Sequence, residues 1–364
     1  MDDKLMRIIS KFDLKGVPAE IIRYGNGHIN DTYRVTLLME DGSSKRYILQ
    51  RINHSIFRDP VKLMDNISRI TRHIQDKVIL QGGNVKKQSI NVILTAEGEN
   101  YLLNEGSYYR CYDFIEGVSS YDMVEGPDDF YKSGKALGKF QELLSDFDGR
   151  TLHETIRDFH NTEKRFEDFC RAVEQDPLGR VQECAEEIRF FKERKLDTGV
   201  INRLIGRGVL PIRVTHNDTK YNNVMIDDVT REAVCLVDLD TVMPGVSLYD
   251  FGDSIRSGAT TALEDERDLS KVRFDLTLFK AYTEGYLSNA SFLTPEEIDY
   301  LPFAAKIMTY ECGLRFLKDH IEGDIYYKTD RLAHNLDRAR TQIKLVQDME
   351  RDFQQMMEVV KESR

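Results

Sequence analysis

The sequence predicts a two-lobed α+β protein, with a small sheet-rich N-terminal lobe and a larger, mainly helical C-terminal lobe. Three observations carry this expectation. Apolar residues in the first third alternate with polar ones, the repeat changes to three and four residues after Gly117, and one strand-rich polar island interrupts the helical part. A chain of 364 residues is long enough to divide in this way. We place the lobes at residues 1–115 and 116–364, with a hinge near 112–117.

Each element has its own signal. Tyr33, Val35 and Leu37, and then Tyr47 and Leu49, alternate as strands do, and Asp41-Gly42 between the two runs marks a hairpin turn. A helical stretch follows over Val61 to Ile74, and strand-like runs over Ile90 to Leu94 and Tyr101 to Asp113 complete the first lobe. Leu137, Phe140, Leu144 and Phe147 then recur at helical spacing, and the polar island runs from Ile212 through Val237. From Asp330 onward, Leu332, Leu336, Ala339, Ile343, Val346, Phe353, Met357 and Val360 stand at near-heptad spacing. This reads as a helix covering the core in preference to a coiled-coil partner site.

Composition narrows the function. Lys plus Arg number 51 against 62 Asp plus Glu, a net charge of −11, which argues against general affinity for nucleic acid or an anionic membrane. The 41% hydrophobic and 31% charged fractions suit a folded, water-facing chain. Cys111, Cys170, Cys184, Cys235 and Cys312 are odd in number, scattered and without a Cys-x-x-Cys pair, so we read reduced thiols in a cytoplasmic protein. Met1 to Ser10 lacks the apolar run of a secretion signal, and no segment approaches the ~20 apolar residues of a membrane span. A monomer is expected.

Two motifs can carry chemistry. Gly25-Asn26-Gly27-His28-Ile29-Asn30 starts like a dinucleotide fingerprint, but Asn30 stands where the third glycine belongs, and Asp31 to Leu38 alternates like a strand rather than opening a helix. Such a turn between strands can fold over phosphates through its backbone amides, or be an ordinary hairpin turn. The second motif is more specific: His216-Asn217-Asp218-Thr219-Lys220-Tyr221-Asn222-Asn223, then apolar Val224 to Ile226, then Val234 to Val237 ending in Asp238. Asp218 can accept a proton from an attacking hydroxyl, while Asn223 and Asp238 offer oxygens suited to magnesium. His216 with Asp218 as a turn cap and Asn222-Asn223 as a left-handed corner are the structural readings of the same residues. A metallohydrolase built on His-x-Asp ranks below phosphoryl transfer, because few further histidines lie near.

The string His216-x-Asp218-x-x-x-x-Asn223 followed by Asp238, with Gly27 to Tyr33 upstream, resembles the aminoglycoside phosphotransferase and choline kinase group within the protein-kinase-like fold. A narrower resemblance, to N-acetylhexosamine 1-kinases, rests on Tyr47 to Asn53, Phe159 to Thr162, Asp238 to Gly245 and Asp250 to Arg256, and runs from about Ile21 to Tyr327. The resemblance implies ATP and Mg2+ as cofactors and the anomeric hydroxyl of GlcNAc or GalNAc as acceptor. It implies that Gly25, Asn26, Gly27, His28, Ile29, Asn30 and Thr32 cover the phosphates of ATP, and that the backbone near Tyr112 and Phe114 holds adenine. Asp218 becomes the base, Asn223 and Asp238 hold magnesium, and Asp218, Asp240, Arg315 and Tyr326 meet the sugar.

The sequence departs from the kinase pattern in three places. Gln50 stands where a strand lysine is usual, and adjacent Arg51 faces the other way, so Lys220 is the candidate for charge compensation. No Glu lies between Val61 and Ile74, and only Asp65 offers a carboxylate there. Ser257 follows Arg256 where the hexosamine enzymes suggest an aromatic residue. The alternatives are another small alcohol acceptor (choline, homoserine or an aminoglycoside) or a non-catalytic nucleotide-binding module.

Overall fold

The computed structural model describes residues 3–25 and 29–364, so Asn26, Gly27 and His28 of the glycine-rich turn lie outside the described residues. The chain forms two compact units. One gathers residues 1–119, 151–156 and 225–243, and the other residues 120–150, 157–224 and 244–364. The segment 225–243, with Asp238 and Asp240, therefore clusters with the sheet-rich unit, although it follows Asp218 and Asn223 in the chain.

The first unit is built on a six-stranded sheet of β1 (Val17–Arg23), β2 (Asp31–Leu38), β3 (Ser44–Ile52), β4 (Val92–Ile93), β5 (Leu102–Asn104) and β6 (Ser107–Asp113). The order is β1-β2-β3-β6-β4, with β5 also on β6 and every pairing antiparallel. The expected hairpin is β2–β3. Its turn closes where Asp41 accepts from the Ser43 amide at 2.9 Å and Gly42 takes a φ of +82°, which a side chain would resist. The long run expected over Tyr101 to Asp113 is two strands instead. Glu105 and Gly106 both adopt left-handed φ angles, 49° and 74°, and fold β5 back onto β6.

Alternation along β2, β3 and β6 divides the sheet into two faces. Val35, Leu37, Tyr47, Leu49, Tyr109 and Cys111 point to one side, where Leu5, Ile8, Ile9 and Phe12 close a core. Thr32, Gln50 and Arg110 have the opposite parity and share the other side. The helix expected over Val61 to Ile74 runs from Pro60 to Leu80, capped by Asp59 on the Lys62 amide at 3.1 Å. It buries Leu63, Met64, Ile67, Ile70, Ile74 and Val78 on one stripe. A second, three-stranded sheet orders β7 (Val118–Ser119), β9 (Val224–Asp227) and β10 (Ala233–Leu236), with β9 central; β8 (Arg213–Thr215) lies apart from it.

The second unit is mainly helical. Pro127–Leu143 and Leu276–Leu287 lie backbone to backbone, because glycines occupy the crossing. A Cβ at Gly134 or Gly285 would fall inside the carbonyl oxygen of Tyr282 or Tyr131. A Gly to Ala change in a helix usually gains about 1 kcal/mol, but overpacking costs more here. Gly285→Ala should lower unfolding stability by about 2 kcal/mol in urea titrations, and a gain in stability would refute the close crossing.

The tail departs from the near-heptad expectation. It forms two helices, His334–Arg351 and Phe353–Glu362, interrupted at Asp352. The break shifts the apolar phase, so Met356, Val359 and Val360 are buried while Met357 is exposed, and Leu332 stands exposed ahead of the first helix.

Candidate active site

In the second unit, the loop after β8 carries the His216 to Asn223 motif, and two buried carboxylates of helix Ser247–Gly258 shape it. Asp250 accepts from the amides of His216 at 2.9 Å and Asn217 at 2.7 Å, and from the Gln141 side chain at 2.8 Å. Tyr286 in turn donates to Gln141 at 2.6 Å. Asp253 accepts from the Thr219 amide at 2.9 Å, and the Thr219 hydroxyl returns to the Asp250 carbonyl at 2.6 Å. Asn217 sits at φ +66°, a left-handed turn that Asn tolerates, and this turns Asp218 out of the stapled backbone. Burial pushes the Asp250 carboxyl above the ordinary carboxylate range. Burial acts the same way on Asp253, but Arg256, His160 and Lys220 outweigh it and lower that carboxyl.

The loop brings the predicted residues of this unit together. Asn223 Nδ2 donates to the Asp218 carbonyl at 2.7 Å and to Asp218 Oδ2 at 3.0 Å, and Lys220 Nζ stands 3.2 Å from the same Oδ2. One carboxylate oxygen is thus oriented by an amide and an ammonium. Asn223 spends its nitrogen on Asp218, which leaves its Oδ1 as the atom for a cation.

A path of contacts leads from this loop to Arg315. His160 Nε2 stands 3.3 Å from the Asn217 carbonyl, its Nδ1 meets Glu311 at 2.8 Å, and Arg315 lies one helical turn beyond Glu311. The Arg315 guanidinium faces the rings of Phe159, Tyr326 and Tyr327 at 5.4, 5.8 and 5.7 Å. Arg315 and Tyr326 are therefore neighbours, and Asp319 fixes the Tyr326 segment by accepting the amides of Ile325, Tyr326 and Tyr327. Ser257 hydrogen-bonds its own helix, at the Asp253 carbonyl, 3.0 Å away.

In the first unit, Asp238 has a left-handed φ of +63° at the end of β10, and a single tight turn follows over Leu239–Thr241. Asn66 holds the next residue: its side chain donates to the Val242 carbonyl at 3.0 Å and the His153 carbonyl at 2.8 Å. Asp240 is buried, ion-paired to Arg110 and hydrogen-bonded by Asn30 Nδ2 at 2.6 Å. Gln50 bridges Arg110 Nε at 2.9 Å and the Thr32 hydroxyl at 2.9 Å. Arg51, on the opposite face, pairs with Asp31. Asp65 is engaged by Arg69 and His153, not by a strand cation.

A model of a phosphotransferase enzyme family matches residues 20–288, which contain all but the first residues of the sheet, the Asp218 loop and the Asp238 turn. The chain belongs to that family. Solved structures share its fold at low identity. An aminoglycoside phosphotransferase from Alicyclobacillus acidocaldarius is 13% identical, covers 97% of this chain and 95% of its own, and superposes with a TM-score of 0.63. A choline kinase from Cryptosporidium parvum is 14% identical over 100% and 99%, with a TM-score of 0.59. An amicoumacin kinase, solved with AMP-PNP, Ca2+ and its ligand Ami, is 13% identical over 94% and 93%, at 0.58. The mixed α+β architecture is the protein-kinase-like one, and the chain is a phosphotransferase by family.

The segments expected to meet a nucleotide can be located in the first unit of this phosphotransferase. Tyr24, beside Gly25, packs its ring against Phe114 at 5.6 Å, so the entry of the glycine-rich turn lies next to the predicted adenine segment. Tyr112 is buried in the sheet. The amides of Asp113 and Phe114 in this segment are already donated, to the Asn91 and Arg46 carbonyls. Among the described residues no group of three or more His, Cys, Asp or Glu side chains is placed to hold a metal. No helix among the described residues is long and apolar enough to cross a membrane.

Sequence reasoning missed Asn66, Arg110 and Gln141. Asp250 stood inside a quoted motif, but its task, capping two loop amides, needed the fold to appear.

Proposed function

We propose that this phosphotransferase transfers the γ-phosphate of ATP to the anomeric hydroxyl of an N-acetylhexosamine, GlcNAc or GalNAc, or a related sugar. The observation that carries the reaction is the Asp218 carboxylate, held by Asn223 and Lys220 on a loop pinned by two buried acids. The hydroxyl oxygen forms a bond to phosphorus, the bond from phosphorus to the ADP oxygen breaks, and the hydroxyl proton passes to the Asp218 oxygen that Lys220 and Asn223 do not engage. Lys220 offers positive charge to the moving phosphoryl group, and the glycine-rich turn with Asn30 and Thr32 covers the phosphates. Asn223 Oδ1 and Asp238 would hold Mg2+, which when bound offsets the phosphate charge.

Arg315 supports a neutral acceptor. Its guanidinium already occupies the cation position over Phe159, Tyr326 and Tyr327, so a choline or aminoglycoside ammonium there would meet a like charge. A sugar can stack on an exposed ring such as Tyr326 and accept from the guanidinium fork. We also propose a cytoplasmic monomer, in keeping with five free thiols.

A panel of GlcNAc, GalNAc, choline, homoserine and an aminoglycoside, read by coupled ADP release with magnesium, tests this reading. Turnover should require an N-acetylhexosamine and yield its 1-phosphate. Preference for another acceptor would remove the sugar assignment, and ATP binding with no transfer to any acceptor would leave a non-catalytic module.

A further inference from the structure

We propose that Arg110, delivered from the neighbouring strand, is the fixed cation of the nucleotide site and takes the place of the strand lysine absent at Gln50. This rests on the kinase reading above and adds to it a residue that neither motif contains.

Register is the starting point. β3 and β6 are antiparallel, and Gln50 lies directly opposite Arg110, so both side chains rise from the same face. Thr32 lies opposite Gln50 on the other side, which makes a row of three side chains across three strands. Along that row Gln50 receives Arg110 Nε at 2.9 Å and donates to Thr32 at 2.9 Å. A charge that lysine would carry on β3 is thus displaced by one strand and tied back to its usual position through a neutral amide.

The surroundings of Arg110 belong to the phosphate region. Its ion-pair partner Asp240 lies two residues after Asp238 and also accepts from Asn30, which ends the glycine-rich turn. Asn30 Oδ1 in turn receives the Asn53 amide at 2.9 Å, so turn, sheet and acidic corner form one network. Arg110 is only 1% exposed, and a buried guanidinium is costly unless charge surrounds it. Burial alone would lower its pKa, but Asp240, Tyr112 and Asp238 outweigh it and hold the group charged.

Two of the three guanidinium nitrogens are committed within this network, Nε to Gln50 and Nη1 to Asp240. Arg110 Nη1 and Asp240 Oδ1 form a close ion pair, and both side chains are buried. With Nε on Gln50 and Nη1 on Asp240, Nη2 is the guanidinium nitrogen that would donate to phosphate oxygens. Lys220, on the Asp218 loop, then serves the transferring phosphoryl group, and Arg110 the inner phosphates.

Calorimetric titration with ATP and with adenosine, in magnesium, tests the assignment without relying on turnover. The variants are Arg110→Gln/Asp240→Asn, which removes the pair while keeping its shape, and Gln50→Lys/Arg110→Gln, which returns the charge to β3. The first should bind ATP at least about tenfold more weakly while adenosine changes less than about twofold. The second should recover most of the ATP affinity. An unchanged ATP-to-adenosine ratio in the first variant overturns the proposal, and so does an equal loss for both ligands, the mark of a merely structural pair. If thermal melts show the first variant unfolded, the relocated lysine decides: retained preference for ATP supports the proposal and its loss overturns it. Wild-type protein that binds ATP no better than adenosine would instead defeat the kinase reading itself.

Discussion

Asp218→Asn is expected to reduce turnover by about a thousandfold, the scale at which a positioned general base contributes. The amide has the same shape and can still meet Asn223 and Lys220 through its oxygen, so the loop should keep its form. It has no basic oxygen for the hydroxyl proton. The loss should fall on kcat, with the KM for ATP nearly unchanged and the thermal midpoint close to wild type, because Asp218 lies at a half-exposed position away from the core. Coupled ADP release together with a melting curve measures both. Wild-type turnover in the folded variant would remove Asp218 from the reaction, and a collapsed melting curve would make it a structural residue.

Asp250→Ala should have the largest effect on stability. The carboxylate is fully buried and satisfies three donors, the amides of His216 and Asn217 and the Gln141 side chain. Truncation leaves them unpaired in a cavity, at about 1–3 kcal/mol for each buried group, and we expect a loss near 4 kcal/mol in urea unfolding. Activity should vanish with it, since the amides of residues 216 and 217 set the position of Asp218. Asp250→Asn keeps one acceptor oxygen and should fall between. The pH sign follows from the raised carboxyl: the fold favours the protonated form, so this group's contribution is fully present below the ordinary value of 3.8 and declines as pH rises through the folded value. Asp250→Asn should flatten that decline, and an unchanged slope would count against the burial account.

The part of the site that was legible beforehand is the part encoded in neighbouring residues. Asp218, Lys220 and Asn223 fall within one short loop, so their type and spacing already state a chemistry, and the fold brings those three into contact. Arg315 and Tyr326 were named through resemblance and do meet, by way of the turn that Asp319 organises. The strand cation was sought at residues 50, 51 and 220, all near recognisable motifs. Arg110 escaped because it is 60 residues from Gln50 in the chain and only strand pairing makes them neighbours. Asp240, expected at the sugar, has its carboxylate turned to Arg110 and Asn30. The tail misled in another way: a periodicity taken over thirty residues hid a helix break at Asp352 that restarts the phase.

Alternation, turn chemistry and the polar loop together determined, from sequence alone, a sheet-rich part, a helical part and a loop that gathers Asp218, Lys220 and Asn223. Those are short-range properties, set by residues a few positions apart whose preferences are written in their own backbone and side-chain chemistry. Which carboxylate caps the Asp218 loop, which amide grips Val242 and which strand supplies the buried cation were decided by tertiary structure. Each depends on a register or helix crossing between distant segments, and a buried charge or amide finds its partner only when those segments pack.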